Sequence, residues 1–485
     1  MTASLPLFGA TSASPAGLSA SADDLHALLE QQQAAHRADP LPPLRQRLER
    51  LDRLQRMLDH TSQTFIDAIS ADFGHRSAHE TRMAEILVVE LELRHTRKHL
   101  GRWMKARRMP TAMSYLPGSN RLMPQPLGVV GVVSPWNYPL QLALAPALGA
   151  LAAGNRVMIK PSELTPRFSA ELQQAIGKYF AANEMTVVLG DAEVGKAFVQ
   201  LPFDHLLFTG STAVGRQVAK AAARNLTPVT LELGGKSPAL IDLTADMGLS
   251  AERIATSKLL NAGQTCVAPD YVLVHRSQQD AFVEAYTQAV RKLYPAFGDN
   301  PDYSSIISQK HFGRLVGMLE QAHQGGAQIV PLGDTDMAQR KLAPCLVLQP
   351  QPDMQLMQEE IFGPILPVVV YDNAEQAIEL IRQGDHPLAL YWFGNDHHAR
   401  DKVLEQTISG GVTINDCLYH LTQQSQPFGG VGASGMGAYH GEWGFNTFSK
   451  LKPVFTQSRH SGTRWLQPPY GERFEKLMRL LKRYG

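Results

Sequence analysis

Three side chains with chemical reach stand at the edges of short apolar runs. Cys266, in "NAGQTCVAPD" (261–270), lies between a Gly-Gln-Thr run and a proline; Gly263 and Pro269 mark backbone that is neither ordinary helix nor ordinary strand. A structural cysteine normally sits inside a periodic apolar run, so this one reads as placed for reactivity. A free thiol ionises near about 8.5, so a nucleophilic role requires local help. Glu232, in "LELGGKSP" (231–238), lies in an apolar strand that ends in a glycine pair. A carboxylate there is disfavoured unless paired or functional, and burial raises its pKa towards that of a general base. Asn137, in the proline-flanked turn "SPWNYP" (134–139), can aim its amide at a reacting oxygen, although asparagine in such a turn also serves turn geometry.

Two further segments fall where strands end. "MIKPSE" (158–163) puts Lys160 and Glu163 at a strand terminus, where a carboxylate can bond ribose hydroxyls; a solvent-exposed charged pair is an equally open reading. "FTGSTAVG" (208–215) is a strand end, a glycine turn and a helix start, whose free N–H groups suit a phosphate. It is neither GxGxxG nor a P-loop, and a capped helix start needs no ligand. A cysteine nucleophile, a carboxylate base, an amide donor and a dinucleotide site together suit oxidation of an aldehyde through a thioester.

These residues need elements to hold them. Residues 23–107 read as helical, with Asp23 and Asp24 as N-terminal caps. From residue 128, short apolar runs such as "GVVGVVS", "RVMIK", "HLLFTG" and "PVTLELGG" alternate with helical stretches, the pattern of βαβ units around a mainly parallel sheet. A second alternation begins near Ser237, so a domain boundary is expected near 235. A chain of 485 residues exceeds one core, which stops growing near roughly 250–300 residues. With 46 Lys and Arg against 45 Asp and Glu, the net charge of +1 gives no global pull towards nucleic acid or anionic lipid. Three scattered cysteines form neither a disulfide framework nor a metal cluster, which points to a reducing, cytoplasmic setting. Residues 1–20 read as a flexible tail without signal-peptide character, no run reaches membrane-span length, and "ERFEKLMRLLKRYG" is a basic amphipathic helix that docks on protein.

In order and spacing, "SPWNYP", "MIKPSE", "FTGSTAVG", "LELGGKSP", "GQTC", "EEIFGP" and "PFGGVGASGMG" resemble the aldehyde dehydrogenase superfamily; Glu232 precedes Cys266 by 34 residues, which also fits. "GMGAYHG" looks like the class 3 branch, and "NRVMIKPSE" and "NLTPVTLELGGKSP" are most similar to the coniferyl aldehyde dehydrogenases within it. The resemblance implies an α/β fold with a Rossmann-type dinucleotide-binding domain, an α/β catalytic domain and a small β oligomerisation element. The implied divisions are 21–235 for the cofactor domain with an oligomerisation hairpin at about 110–125, 236–425 for the catalytic domain, 426–452 for a return to the cofactor domain, and 453–485 for a C-terminal oligomerisation segment. Cys266 would be the nucleophile, Glu232 the base and Asn137 the oxyanion donor. Trp136, Lys160, Glu163, Gly190, Gly210, Ser211, Gly215, Glu360 and Phe362 would contact the cofactor, with Glu360 and Phe362 at the nicotinamide end. Tyr439 and His440 read as structural. Glu163 beside the adenosine ribose favours NAD, with NADP as the alternative. The implied reaction takes an aldehyde, aromatic by resemblance, to its acid in a homodimer; an aliphatic or semialdehyde substrate, or a silent scaffold, are the competing readings.

Overall fold

A computed structural model describes residues 21–295, 297–298 and 300–484; the tail expected at 1–20 lies outside them. The first helix, Ala22–Ala38, is capped by Ser21 and not by the aspartates: the Ser21 hydroxyl accepts from the Asp24 N–H while Asp24 accepts in return from the Ser21 backbone. Serine wins because its short side chain reaches the third N–H only from the residue before the helix. Leu44–Phe73 forms a 30-residue helix, and Leu87–Trp103 is the last of this region. The helix expected to run to 107 stops at Trp103, and the basic segment beyond it turns into a strand.

That strand, Arg107–Met109 (β1), pairs antiparallel with Ser119–Pro126 (β2). Next come Val129–Val133 (β3), Arg156–Lys160 (β4), Met185–Val187 (β5), His205–Thr209 (β6) and Val229–Glu232 (β7). A second series follows: Pro238–Ile241 (β8), Tyr271–His275 (β9), Gln328–Pro331 (β10), Cys345–Leu348 (β11), Ile365–Tyr371 (β12), Ala389–Phe393 (β13) and Gly411–Ile414 (β14). Gly435–Met436 (β15) and Ser449–Thr456 (β16) close the chain's strands.

Three sheets result. The first has order β15-β7-β6-β3-β4-β5, parallel except for β15; the second has order β10-β11-β12-β9-β8-β13-β14, antiparallel only at β10; the third is β1-β2-β16. In the first sheet the order reverses at β3, with β4 and β5 on one side and β6 and β7 on the other. Ligands enter such sheets beyond the carboxyl ends of the strands at the reversal. All three residues that end β3, β4 and β6 are therefore positioned for binding: Val133, Lys160 and Thr209.

The apolar text "QLALAPALGALAA" forms the helix Gln141–Ala153, buried at every residue, with Pro146 inside it. Among the described residues no helix is long and apolar enough to cross a membrane. Among the helices that escaped the sequence reading is Gln309–Gln324, capped by Ser308 and buried through Phe312, Leu315, Met318 and Ala322. Those apolar positions have helical spacing and were legible; the element matters because it carries His311 into the cleft described below.

The chain returns to the first sheet through β15, whose Gly435 pairs with Glu232 of β7. Gly435 has φ of +156°, and a Cβ there would meet the Leu231 carbonyl at 2.4 Å. Gly435→Ala is expected to destabilise the protein by about 1–3 kcal/mol, as overpacking does; a urea or thermal unfolding midpoint close to the parent's would refute that account of β15.

Candidate active site

The ends of β3, β4 and β6 open on a cleft of 650 Å³, within the range of small-molecule sites. Trp136, Lys160, Glu163, Gly210 and Ser211 line it, as does His311. Lys160 is buried, its Nζ donating to the Pro161 carbonyl at 2.8 Å, and burial lowers its pKa. Glu163 is exposed at the rim, and Ser211 caps the helix Thr212–Ala223 through the Val214 N–H at 3.4 Å. A cation, a rim carboxylate and a capped helix N-terminus are the donor set a dinucleotide requires, and these residues fit one. The cleft floor is aromatic: Trp136 lies edge-on to His311 at 5.0 Å and to Phe362 at 5.4 Å between ring centres.

The other residues named from sequence sit differently. Gly190 has φ of +150° and leaves room for Val194; a Cβ on Gly215 would meet Leu233 at 2.6 Å. Neither lines the cleft, so backbone conformation and packing account for both glycines. Glu360 lines a second cleft, of 750 Å³, together with Gly234, Gly235 and Lys236. Its carboxylate rests on the glycine pair so closely that a Cβ on Gly234 would overlap Glu360 Oε2 at 1.9 Å. This contact explains the first glycine of the pair that follows the Glu232 strand. Phe362 adopts φ of +54°, a left-handed conformation that costs a non-glycine residue about 1–3 kcal/mol.

Cys266 is partly buried. The backbone on its approach is unusual: Asn261, Ala262 and Gly263 have φ of +52°, +53° and +77°. Gly263 is required there, since a Cβ would meet the Gly363 carbonyl at 2.4 Å. This left-handed run ends the helix Met247–Leu259 and throws the cysteine clear of it. Burial pushes the Cys266 thiol up to about 12, with the charges of Glu360 and Glu232 adding to the effect; the backbone N–H groups of Cys266 and Val267 oppose it. The thiolate anticipated from sequence is thus absent at rest. The pocket that shields the cysteine also withholds solvation from its anion.

Glu232 lies near enough for its charge to disfavour the Cys266 thiolate. It is 2% exposed, neither carboxylate oxygen has a hydrogen-bond partner, and burial alone raises its pKa well above the ordinary range. A buried carboxyl without a partner is the arrangement expected of a proton acceptor awaiting its donor.

Asn137 reaches the cysteine loop directly. One of its amide hydrogens goes to the Gln264 carbonyl at 3.1 Å, leaving the second for a reacting oxygen. Beside it, the Tyr138 hydroxyl meets the Thr265 hydroxyl at 2.7 Å. A network that sequence did not signal holds these turns. Arg76 donates to the Asn137 carbonyl at 3.0 Å and pairs with Glu85 at 2.8 Å, both side chains being wholly buried. Glu85 in turn accepts from the N–H groups of Leu140 and Gln141, where the buried helix begins. Glu80 accepts the Asn261 N–H at 3.0 Å. Gln264 clamps the loop to Asn261 at 2.9 Å, Ser305 at 3.1 Å and Ile307 at 3.0 Å.

A family model described as "Aldehyde dehydrogenase family" matches residues 14–454. The chain is 50% identical over 456 residues to a probable coniferyl aldehyde dehydrogenase of Pseudomonas aeruginosa, covering 94% of this chain and 96% of that one. It is 45% identical over 474 residues to the coniferyl aldehyde dehydrogenase of Pseudomonas sp. strain HR199, covering 96% and 98%. Among solved structures, the substrate-bound AldH of Staphylococcus aureus superposes with a TM-score of 0.89 at 38% identity, covering 94% and 99%. An aldehyde dehydrogenase of Mycobacterium tuberculosis solved with NAD+ superposes with a TM-score of 0.82 at 28% identity, covering 92% of each chain.

Two outcomes check this geometry. Without cofactor, alkylation of Cys266 by iodoacetamide is expected to be slow at pH 7 and to keep rising through pH 10, because its thiol ionises near 12; a plateau below pH 8, read by peptide mass spectrometry, would contradict the neutral thiol. Arg76→Met is expected to lower stability by about 3–5 kcal/mol in denaturant titration, since Glu85 is left buried and unpaired.

Proposed function

The chain belongs to the aldehyde dehydrogenase family, and from that premise we propose that it oxidises coniferyl aldehyde, or a closely similar aromatic aldehyde, to the acid. Oxidation of an aldehyde with a nicotinamide dinucleotide is the activity of the protein; the substrate, the residue roles and the assembly are what is proposed. The supporting observation is that the buried, unpartnered carboxyl of Glu232 lies near enough to Cys266 for its charge to disfavour the thiolate, while Asn137 bonds the cysteine loop at the Gln264 carbonyl. Similarity to two coniferyl aldehyde dehydrogenases supports the aromatic substrate.

In this reading the Cys266 thiol passes its proton to solvent water as its sulfur bonds the aldehyde carbon. The carbonyl oxygen becomes an oxyanion, which takes the free N–H of Asn137 and the backbone N–H of Cys266. One such donor contributes about 2.7–4 kcal/mol to the transition state. The bound dinucleotide supplies the hydride acceptor. Trp136, Lys160, Glu163, Gly210 and Ser211 hold it along the cleft, and Glu360 and Phe362 take the nicotinamide end. The carboxylate form of Glu232 then removes a proton from water as that water attacks the Cys266 thioester; the thiolate leaves as the acid forms and takes that proton back from Glu232. Glu163 favours NAD over NADP by opposing a 2′-phosphate.

The six-stranded sheet is assigned to cofactor binding, the seven-stranded sheet to catalysis, and the three-stranded sheet to a homodimer contact. Exposed Met109, Met113, Tyr115, Leu116 and Phe455 on and beside that third sheet support the contact. Three free cysteines support a cytoplasmic setting.

The test follows reduced-cofactor formation with NAD or NADP, offering coniferyl aldehyde and a medium-chain aliphatic aldehyde in parallel. Preference for the aliphatic compound would remove the substrate assignment. Cys266→Ala is expected to abolish turnover. Glu232→Gln is expected to keep a first burst of reduced cofactor but to lower steady-state turnover by about 10²–10⁴-fold; loss of the burst as well would assign Glu232 to the first step.

A further inference from the structure

The segment that carries Glu360 and Phe362 belongs to no helix or strand; it joins the helix Gln355–Gln358 to β12. Irregular backbone in a protein interior needs partners for its N–H and carbonyl groups. Three side chains supply them. Lys236 donates to the Leu356 carbonyl at 2.8 Å and to the Glu359 carbonyl at 3.1 Å, and directs its remaining hydrogen at Asp270. Asp270 accepts from Lys236 through one oxygen and from the Ile361 N–H, at 3.0 Å, through the other. Arg314 completes the set: its terminal nitrogens donate to the Glu360 carbonyl and, at 2.8 Å, to the Ile361 carbonyl.

Each of these side chains starts from a segment that carries chemistry. Lys236 stands four residues after Glu232 and two after Gly234, on which the Glu360 carboxylate rests. Asp270 stands four residues after Cys266, is 3% exposed, and ties its own N–H to the Ser237 carbonyl at 2.7 Å. Arg314 lies on the helix Gln309–Gln324, three residues after His311, whose ring borders Trp136. Leu315, next to it, lies over Gly363, where a Cβ would meet it at 2.6 Å. An ion pair kept for stability alone would need only Lys236 and Asp270. Here their further hydrogen bonds all go to backbone between Leu356 and Ile361.

We propose that Lys236, Asp270 and Arg314 are positioning residues that set the nicotinamide end of the cofactor site against Cys266. The inference rests on Glu360 and Phe362 as the residues that take that end. The three act through backbone. Lys236 and Asp270 tie the Glu359–Ile361 chain to the exit of the cysteine loop, and Arg314 holds its carbonyls. Phe362 follows directly in a left-handed conformation, which persists only where the surroundings over-determine it. In the oxidation step the carbon bonded to Cys266 loses hydride to the nicotinamide ring and becomes the thioester carbonyl. The separation between the cysteine loop and this segment therefore governs that step, and a misplacement near 1 Å costs about 10²-fold in rate.

The experiment compares Lys236→Met, Arg314→Gln and Glu360→Gln with the parent, all as the full chain. Amide exchange of the peptide spanning 355–364 is followed by mass spectrometry without cofactor, and NAD affinity by calorimetry without aldehyde. The first burst of reduced cofactor is then read by stopped flow with saturating NAD and either aldehyde or its 1-deuterated form. In Lys236→Met and Arg314→Gln, exchange of that peptide should quicken and NAD affinity should fall. Their burst should slow about tenfold or more with a larger deuterium isotope effect, while Cys266 alkylation by iodoacetamide stays within about twofold. Lys236→Arg, which keeps a donating cation, should recover most of the burst. Arg314→Gln decides the matter should Lys236→Met fail to fold. A folded variant whose exchange, affinity or burst matches the parent overturns the proposal, as does alkylation that falls in step with the burst. Glu360→Gln separates the two claims. Parent-like NAD affinity and burst in that variant would remove the nicotinamide assignment itself; a loss there with none in the other two would remove only the positioning role.

Discussion

The buried Arg76–Glu85 pair is the constraint on which the site depends. Neither residue lies in a segment that carries chemistry, yet together they fix the turn that does. Arg76 holds the Asn137 carbonyl and stacks over Phe73 at 5.1 Å and Tyr138 at 4.9 Å. Glu85 meets the first N–H groups of the buried helix that follows the turn, where a negative charge suits both the free donors and the dipole. Burial raises the Glu85 pKa even with Arg76 beside it, so desolvation outweighs the local attraction on that carboxyl. Such a pair adds little net stability over an apolar replacement, because desolvating two ions offsets their attraction. Its evident yield here is geometry: one amide, aimed at one loop.

The same loop is held from its other side by strain. Of the three consecutive left-handed residues before Cys266, Asn261 is held by Glu80, which accepts its N–H, and by the Asn137 and Gln264 carbonyls, which accept from its side-chain amide. Left-handed asparagine and alanine each cost about 1–3 kcal/mol, a cost repaid by fully bonded backbone in a dry interior. Local conformation is thus spent on placing one sulfur atom.

Chemically, the resting site is neutral where its reaction needs charge. Cys266 and Glu232 are both acids whose anions burial disfavours, and the charge of Glu232 further opposes ionisation of Cys266. Surroundings dry enough to shield these two side chains also favour their neutral forms. Backbone N–H groups at Cys266 and Val267 are the local means of favouring the thiolate.

Residue types and spacing alone located Cys266, Glu232 and Asn137, the two α/β alternations, and the strand ends that carry Lys160, Glu163 and Ser211. This was legible because periodicity and turn chemistry are local, and because a cysteine beside glycine or a carboxylate in an apolar strand breaks the local rule where it stands. Sequence placed the first helical cap on Asp23 and Asp24, because several polar residues compete there and only backbone geometry selects Ser21. It attached no role to Arg76 or Glu85, which read as ordinary charges on amphipathic helices. Their importance comes from partners dozens of residues away, such as Asn137 for Arg76 and Leu140 for Glu85. Tertiary structure also decided the charge state of the thiol, for a pKa is set by the atoms surrounding a group in space. Side-chain pattern is written along the chain, whereas desolvation and long-range hydrogen bonding exist only once the chain has closed on itself.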